Sequence, residues 1–162
     1  MGLVLIRILT NIMIFNQRVE KLAKIICNKG VVYGKDCFIQ DEKSIFANNH
    51  YIEVLHEIAH WIACEPQYRQ LDNLGLPHDS EKGHIFYNRM MYEESMAFVI
   101  TKLLFDVYFK DDTDEHSKKY IAYVDNLCEE LCKLEKLSPM AQRKIANRIF
   151  TNYNNIDIDK DN

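Results

Sequence analysis

Two histidines that stand four residues apart, His56 and His60, constrain this chain more than any other feature of its sequence. Residues at positions i and i+4 lie one turn apart on the same face of an α-helix, so the two imidazoles can act together only where the chain is helical. Apolar residues such as Leu55 and Ile58 recur around them at helical spacing. The pattern therefore predicts a central helix over residues 51–64 that is buried on most sides.

Helical spacing also dominates the remaining chain, and residues that break helices are scarce. The sequence has only five glycines and three prolines, which argues against an all-β fold built on tight turns. We therefore predict a mainly α fold of the α+β class, with one domain over residues 1–153 and a polar tail over 154–162. A β-hairpin or short sheet is expected just before the central helix. The predicted strands cover 31–39 and 44–47, and the other predicted helices cover 4–28, 86–109, 117–134 and 138–153.

Charge and cysteine content argue against two broad classes of protein. The formal net charge is −4 and no long basic run occurs, so duplex nucleic acid is not an expected partner. The five cysteines are odd in number and contain no CxxC pair, which argues against a disulfide framework. We therefore expect reduced, buried thiols in a cytoplasmic protein. The sequence leaves the oligomeric state open.

The first fifteen residues are strongly apolar and need a separate interpretation. Arg7, Thr10 and Asn11 interrupt the run, which is also shorter than the roughly 20 residues that span a bilayer. No small-residue cleavage site follows it. We therefore expect this segment to be part of an N-terminal core helix, in preference to a signal sequence or a membrane anchor. On this interpretation the protein has no membrane partner.

The central helix carries the residues from which we predict chemistry. Imidazoles one helical turn apart can bind one metal ion at about 2.0–2.1 Å each, and Glu57 can accept a proton from metal-bound water. Given the histidine and glutamate content of this chain, roughly 0.02 matches to HExxH are expected by chance. The alternative, a helix whose histidines face solvent, fits poorly with apolar neighbours such as Val54 and Ile62. We therefore predict one divalent metal ion bound by His56 and His60.

A metal site of this kind needs a third ligand and an open position. We favour Glu94 as that ligand, because Ala97 follows it one turn later and a small residue there lets two helices approach closely. Glu93 is the nearest alternative, since it aligns with the apolar face of the same predicted helix. His78 and His84 are further candidates. The choice among the four stays open at the level of sequence.

Three other polar residues near the motif receive weaker predictions. His50 is expected to cap the central helix or lie at the surface, although it could face the same pocket as His56. Cys64 lies one turn after His60, and we expect it to serve packing in preference to metal binding. Arg69 is expected to pair with a carboxylate, either of a ligand or of the protein itself.

A longer stretch around the two histidines contains a specific succession of short motifs. A strand that ends in Phe46-Ala47 is followed by an aromatic residue and then by the string HEIAHW, which ends at Trp61. The later elements are a basic residue, a turn, a loop and a glutamate-containing helix start: Arg69, Asp72 to Gly75, Pro77 to Asp79, and Glu93-Glu94 with Ala97. This succession over residues 45–100 resembles the elongation factor P hydroxylase family, and more distantly the HExxH zincin-type metallopeptidases.

The resemblance implies a zincin-like helical domain with an iron-dependent hydroxylase activity. The substrate would be a lysine-derived side chain on a translation factor such as elongation factor P, modified with molecular oxygen. His56, His60 and Glu94 would form a two-histidine, one-carboxylate site, a ligand set that suits Fe(II). The alternative is a zinc metallopeptidase in which Glu57 is the general base and Zn(II) polarises a peptide carbonyl. A third possibility is a metal-stabilised interaction domain without enzymatic activity.

Overall fold

Five helices and a small sheet make up the part of the chain that the structure describes. The computed structural model describes residues 2–33, 38–40, 44–47, 50–76, 83 and 87–159. The helices are α1 (Gly2–Cys27), α2 (Tyr51–Ala63), α3 (Tyr87–Tyr108), α4 (Glu115–Leu134) and α5 (Pro139–Phe150). The strands are β1 (Gly30–Tyr33), β2 (Phe38–Gln40) and β3 (Ser44–Ala47), and two 3-10 turns cover Pro66–Tyr68 and Asp72–Gly75. The predicted mainly helical class is confirmed.

The three strands form one sheet in the order β1-β3-β2. Strand β3 pairs in parallel with β1, placing Ile45 opposite Val31, and antiparallel with β2, placing Ile45 opposite Ile39. A simple hairpin would leave only antiparallel neighbours, so the short-sheet form of the prediction is the correct one. The buried Ile45 side chain is part of the hydrophobic core, so the middle strand anchors the sheet to the helices immediately before α2 begins.

Helices α2 and α3 form the centre of the core. The His50 side chain accepts a hydrogen bond from the backbone N–H of Ile52 at 3.2 Å, which caps the start of α2. On its buried face, Leu55 and Ile58 are fully shielded from solvent, as are Ile100 and Leu104 on α3. Burial of such side chains contributes about 1.5–3 kcal/mol each. The apolar periodicity of both segments therefore holds the two helices side by side.

Helix α1 has two halves with opposite surroundings. From Phe15 to Cys27 one face is buried, with Val19 and Leu22 fully enclosed. From Leu3 to Ile14 every residue is exposed. By length and apolar composition α1 could cross a membrane, and only 11% of its most apolar stretch is buried. The expectation that the first fifteen residues belong to a core helix is therefore wrong for this segment: the helix forms but its side chains remain exposed, and Ile8, Asn11 and Ile12 only border a pocket shared with residues 50–51 and 112–115.

The C-terminal helices close the other side of the core. Ser138 caps α5 by accepting a hydrogen bond from the Ala141 backbone N–H at 3.2 Å, with Pro139 in the first helical position as predicted. After α5 the backbone N–H of Ile156 donates to the Tyr108 hydroxyl at 3.1 Å, and Ile158 is buried. The expected polar tail over 154–162 is therefore packed against α3 as far as the chain is described there.

The cysteines in the described part of the chain are free thiols. Cys27, Cys64, Cys128 and Cys132 are all buried. The Sγ atoms of Cys128 and Cys132 lie 4.0 Å apart on α4, which is a contact between thiols and too long for a disulfide. Cys37 lies outside the described residues. The described cysteines thus have the reduced, buried state that the sequence predicts.

Candidate metal centre

Helix α2 presents His56 and His60 on one face, at the separation that a shared ligand requires. Their Nε2 atoms lie 3.1 Å apart. The rings meet edge to face with their centroids 4.7 Å apart, so each ring directs a nitrogen toward the same point. One turn of helix is sufficient to bring the two nitrogens together, as the spacing predicts.

Helix α3 supplies a carboxylate to the same point. The Oε1 atom of Glu94 lies 3.1 Å from His56 Nε2, and Oε2 lies 2.8 Å from His60 Nε2. One ligand atom from each of the three residues falls within 4.8 Å of the others. Ligand atoms at about 2.0–2.2 Å from a common ion have separations in this range. The three side chains that the sequence favours are therefore brought together in a group that could hold a metal ion.

The cluster is open on one side. The side chains of His56 and His60 are each 14% exposed, and that of Glu94 is 31% exposed. An ion held by these three residues would therefore be reachable by water or by a substrate. Catalytic metal sites have such an open position, whereas structural sites are closed by protein ligands.

Small residues let the two helices approach closely enough for these contacts. Ala59 on α2 and Ala97 on α3 are both fully buried in the core. A larger side chain at either position would push the helices apart and lengthen the distances to Glu94. The Glu94-x-x-Ala97 spacing that favours Glu94 in the sequence is thus compatible with the direct packing of α2 on α3.

Thr101 orients His56, and the sequence analysis did not identify it. The Thr101 hydroxyl donates to the Ala97 carbonyl oxygen at 2.6 Å, so its oxygen is left to accept from His56 Nδ1–H at 3.2 Å. With the proton on Nδ1, the lone pair of Nε2 points toward Glu94 and is free to bind a metal. The spacing in the sequence could have identified Thr101, because it follows Glu94 by two helical turns and so lies on the same face of the helix.

Glu57 lies beside the cluster and is almost completely shielded from solvent, with 7% exposure. Burial raises the pKa of its carboxyl group, although the nearby His60 and His56 act in the opposite direction. A raised pKa makes this carboxyl group a better proton acceptor than a solvated glutamate. This is the property that a general acid or base requires.

His60 and Glu94 shift each other's pKa strongly. Burial lowers the pKa of His60, but the Glu94 carboxylate outweighs this effect and raises that pKa to about 9. For Glu94, burial acts to raise the pKa, yet His60 and His56 together hold it well below its usual range. His60 and Glu94 thus form an ion pair at neutral pH, and a bound cation would take the place of the His60 proton.

The neighbouring glutamate, Glu93, has a different role. Its buried carboxylate pairs with Arg89 one turn earlier on α3, with an Oε1–Nε distance of 3.4 Å. Burial raises the pKa of Glu93. Arg89 in turn donates to the Leu74 carbonyl oxygen at 2.6 Å and lies 3.8 Å from the centre of the Tyr68 ring. Glu94 and not Glu93 therefore faces the two histidines.

The remaining candidates lie away from the cluster or outside the described residues. His50 is the N-cap of α2, and Cys64 is buried with Arg89 3.6 Å from its sulfur. Among the described residues, Arg69 pairs with no carboxylate, contrary to the prediction. Its guanidinium stacks on Trp61 at 4.0 Å and donates to backbone carbonyls at the end of α2, with one N–O distance of 3.1 Å. His78, His84 and the loop residue Asp79 lie outside the described residues.

Comparison with known proteins adds no relative. Searches against protein-family models, curated proteins and solved structures found no match to this chain. The site is therefore interpreted from its own residues and geometry.

Proposed function

We propose that this chain is an enzyme that holds one divalent transition-metal ion through His56, His60 and Glu94. One observation carries the proposal: two nitrogens from α2 and a carboxylate oxygen from α3 converge within 4.8 Å, on a side that remains open to solvent. Buried polar groups need partners, and a cation would satisfy all three at once. The ordered arrangement of His56 by Thr101 supports the same interpretation, since orientation of a ligand histidine is typical of metal sites.

The placement of Glu57 favours hydrolysis of an amide bond. A zinc ion at this site would supply Lewis acidity, polarising a carbonyl oxygen and lowering the pKa of water. Glu57 is buried beside the ligands and so can accept a proton from the attacking water. The water oxygen then bonds to the carbonyl carbon, the C–N bond breaks, and the proton passes from Glu57 to the leaving nitrogen. The HExxH spacing on α2, with Glu57 between the two histidines, supports this proposal because a glutamate there is the general base of metallopeptidases that carry the motif.

A second candidate function is hydroxylation of a protein side chain. It is supported by the resemblance of the HEIAHW string and its flanking motifs to the elongation factor P hydroxylase family. Two histidines and one carboxylate with open positions also suit Fe(II). The substrate would then be a modified lysine on a translation factor in the cytoplasm. In this case Glu57 would hydrogen-bond to the reacting groups and would not be needed as a base for water.

The first experiment identifies the metal and the role of Glu57. The protein is purified without added metal, its metal content is measured, and Glu57→Gln is compared with Glu53→Gln one turn earlier on α2. We expect Glu57→Gln to retain metal but lose at least about 100-fold in turnover, while Glu53→Gln stays near wild type. Equal turnover of the two variants would contradict the role assigned to Glu57.

The second experiment separates the two reactions by their products. Protein loaded with Zn(II) is incubated with a peptide library. Protein loaded with Fe(II) is incubated with modified elongation factor P, oxygen and a reductant. Mass spectrometry distinguishes a backbone cut, which adds water across a C–N bond, from the gain of one oxygen atom. Cleavage with Zn(II) supports the first proposal, and oxygen insertion with Fe(II) supports the second. Absence of both with metal-loaded protein would indicate a non-catalytic metal site.

A further inference from the structure

The exposed N-terminal half of α1 has no counterpart in the function proposed above. Between Leu3 and Ile14 the helix carries large apolar side chains whose exposed fractions run from 43% to 85%. Contiguous apolar surface of this kind marks an interaction site. The exposed large apolar residues of this segment, which we name the N-terminal segment, are Leu3, Val4, Leu5, Ile6, Ile8, Leu9, Ile12, Met13 and Ile14.

We propose that the N-terminal segment binds a lipid bilayer and attaches the protein to a membrane surface. The distribution of side chains around the helix is the main argument. At about 100° per residue, roughly 260° of the circumference carries only apolar side chains and one glycine. A protein groove covers one face of a helix and would leave the rest in water. A helix that is apolar on nearly all sides is typical of burial in a large core or in lipid.

The polar residues of the segment fit a helix that lies in the membrane interface. Arg7, Thr10 and Asn11 share one narrow strip, where the Arg7 side chain can reach lipid headgroups. The Thr10 hydroxyl donates to the Ile6 carbonyl oxygen at 2.7 Å, so its hydrogen bond is satisfied within the helix. The segment from Gly2 to Ile14 is about 20 Å long, shorter than the roughly 30 Å hydrocarbon core. This length is sufficient for the segment to lie within one leaflet.

The charge of α1 favours a lipid surface, and not a second copy of this chain, as the partner of the N-terminal segment. The whole protein has a formal net charge of −4, but α1 contains four basic residues and only one acidic residue, Glu20. Arg18 pairs with Asp111, so Arg7, Lys21 and Lys24 are the basic positions that bear on a lipid surface. Lys21 and Lys24 are exposed on the part of α1 that follows the N-terminal segment. Anionic headgroups attract such basic positions, whereas two copies of α1 would repel each other. A cytoplasmic catalytic domain held at a membrane surface is compatible with this arrangement, although it departs from the expectation of no membrane partner.

The test is flotation of the full chain with lipid vesicles. We expect the protein to float with phosphatidylcholine vesicles, and more strongly when phosphatidylglycerol is included. Leu5→Gln with Leu9→Gln places two amides in the middle of the apolar sector and should weaken binding at least about tenfold. The matched control, Thr10→Gln with Asn11→Gln, places the same amides in the polar strip and should change binding less than about threefold.

Further measurements decide between lipid and other occupants. All variants are checked for metal content, which reports the fold of the α2–α3 region independently of lipid. Lys21→Gln with Lys24→Gln should remove only the extra binding to anionic vesicles. A wild-type protein that stays at the bottom of the gradient as a stable dimer would overturn the proposal in favour of a second copy. An intact mass showing that the segment is cleaved from the mature chain would overturn it as well.

Discussion

The α2–α3 contact and the N-terminal half of α1 depart from the usual distribution of polar and apolar groups in opposite directions. Between α2 and α3, charged and hydrogen-bonding groups such as Glu57 and His60 are withdrawn from water. At the start of α1, apolar side chains such as Leu5 and Leu9 are left in it. Each departure costs free energy for the chain alone. The comparison teaches that each region is suited to a partner outside the polypeptide, for which we propose a cation in one case and a lipid surface in the other.

The largest expected effect comes from removing a ligand. His60→Ala should abolish specific metal binding. We expect a loss of more than about 100-fold in affinity, because removing a direct ligand costs more than the roughly 10–100-fold that follows loss of a residue hydrogen-bonded to a ligand. The control is His116→Ala, which changes an exposed histidine on α4. Titration with Zn(II) or Co(II) under competition by a chelator measures both. Equal metal affinity in the two variants would contradict the assignment of a metal site to the α2–α3 contact.

The next effect compares two leucines of opposite burial. Leu55→Ala, at a fully buried position of α2, should lower the free energy of unfolding by about 2–5 kcal/mol because it leaves a cavity. Leu9→Ala, where the side chain is 57% exposed, should change it by less than about 0.5 kcal/mol. Urea unfolding in the absence of lipid measures both values. A large loss with Leu9→Ala would show that the N-terminal segment is covered by the protein itself.

The pH dependence of metal binding tests the ion pair between His60 and Glu94 at the α2–α3 contact. Because the Glu94 carboxylate raises the pKa of His60 to about 9, metal-free protein holds a proton on His60 at neutral pH. Metal binding must release that proton, so affinity rises as pH rises and levels off above about 9. Below that value the affinity should fall by about tenfold per pH unit. Titrations in non-coordinating buffers between pH 6 and 8 test the slope, and a flat profile would contradict the ion pair.

The smallest effect concerns orientation of a ligand. Thr101→Val keeps the shape of the side chain but removes the acceptor for His56 Nδ1–H. Metal affinity should fall by about 10–100-fold without loss of the site. The matched control is Thr151→Val, at an exposed position after α5. Unchanged affinity in Thr101→Val would mean that His56 is oriented by packing alone.

The sequence was sufficient for much of the fold and for the three residues that the structure brings together, His56, His60 and Glu94. The HExxH spacing placed α2 within one residue of its observed end at Ala63, because apolar periodicity and metal-ligand spacing indicate the same helix. Glu94 was preferred over Glu93 on the basis of Ala97 alone. The structure places Glu94 beside the histidines, and Ala97 is buried one turn later on the same helix.

Two features escaped prediction for physical reasons. The role of Thr101 depends on which nitrogen of His56 carries the proton. That in turn depends on a contact between two helices, made by residues that are 45 positions apart in the chain. The exposure of residues 3–14 was not predicted, because composition does not show whether an apolar helix packs against another part of the chain. Only the positions of the other elements show that the core ends at Phe15.

Arg89 joins the chain that follows α2 to the helix that supplies the third ligand. Its guanidinium bonds the Leu74 carbonyl oxygen and stacks on Tyr68, while its backbone belongs to α3 five residues before Glu94. A displacement of the 66–76 segment would therefore shift α3 and change the distance between the Glu94 carboxylate and the two imidazoles. Through this connection, the position of the 66–76 segment bears on the geometry of a cluster to which it contributes no residue.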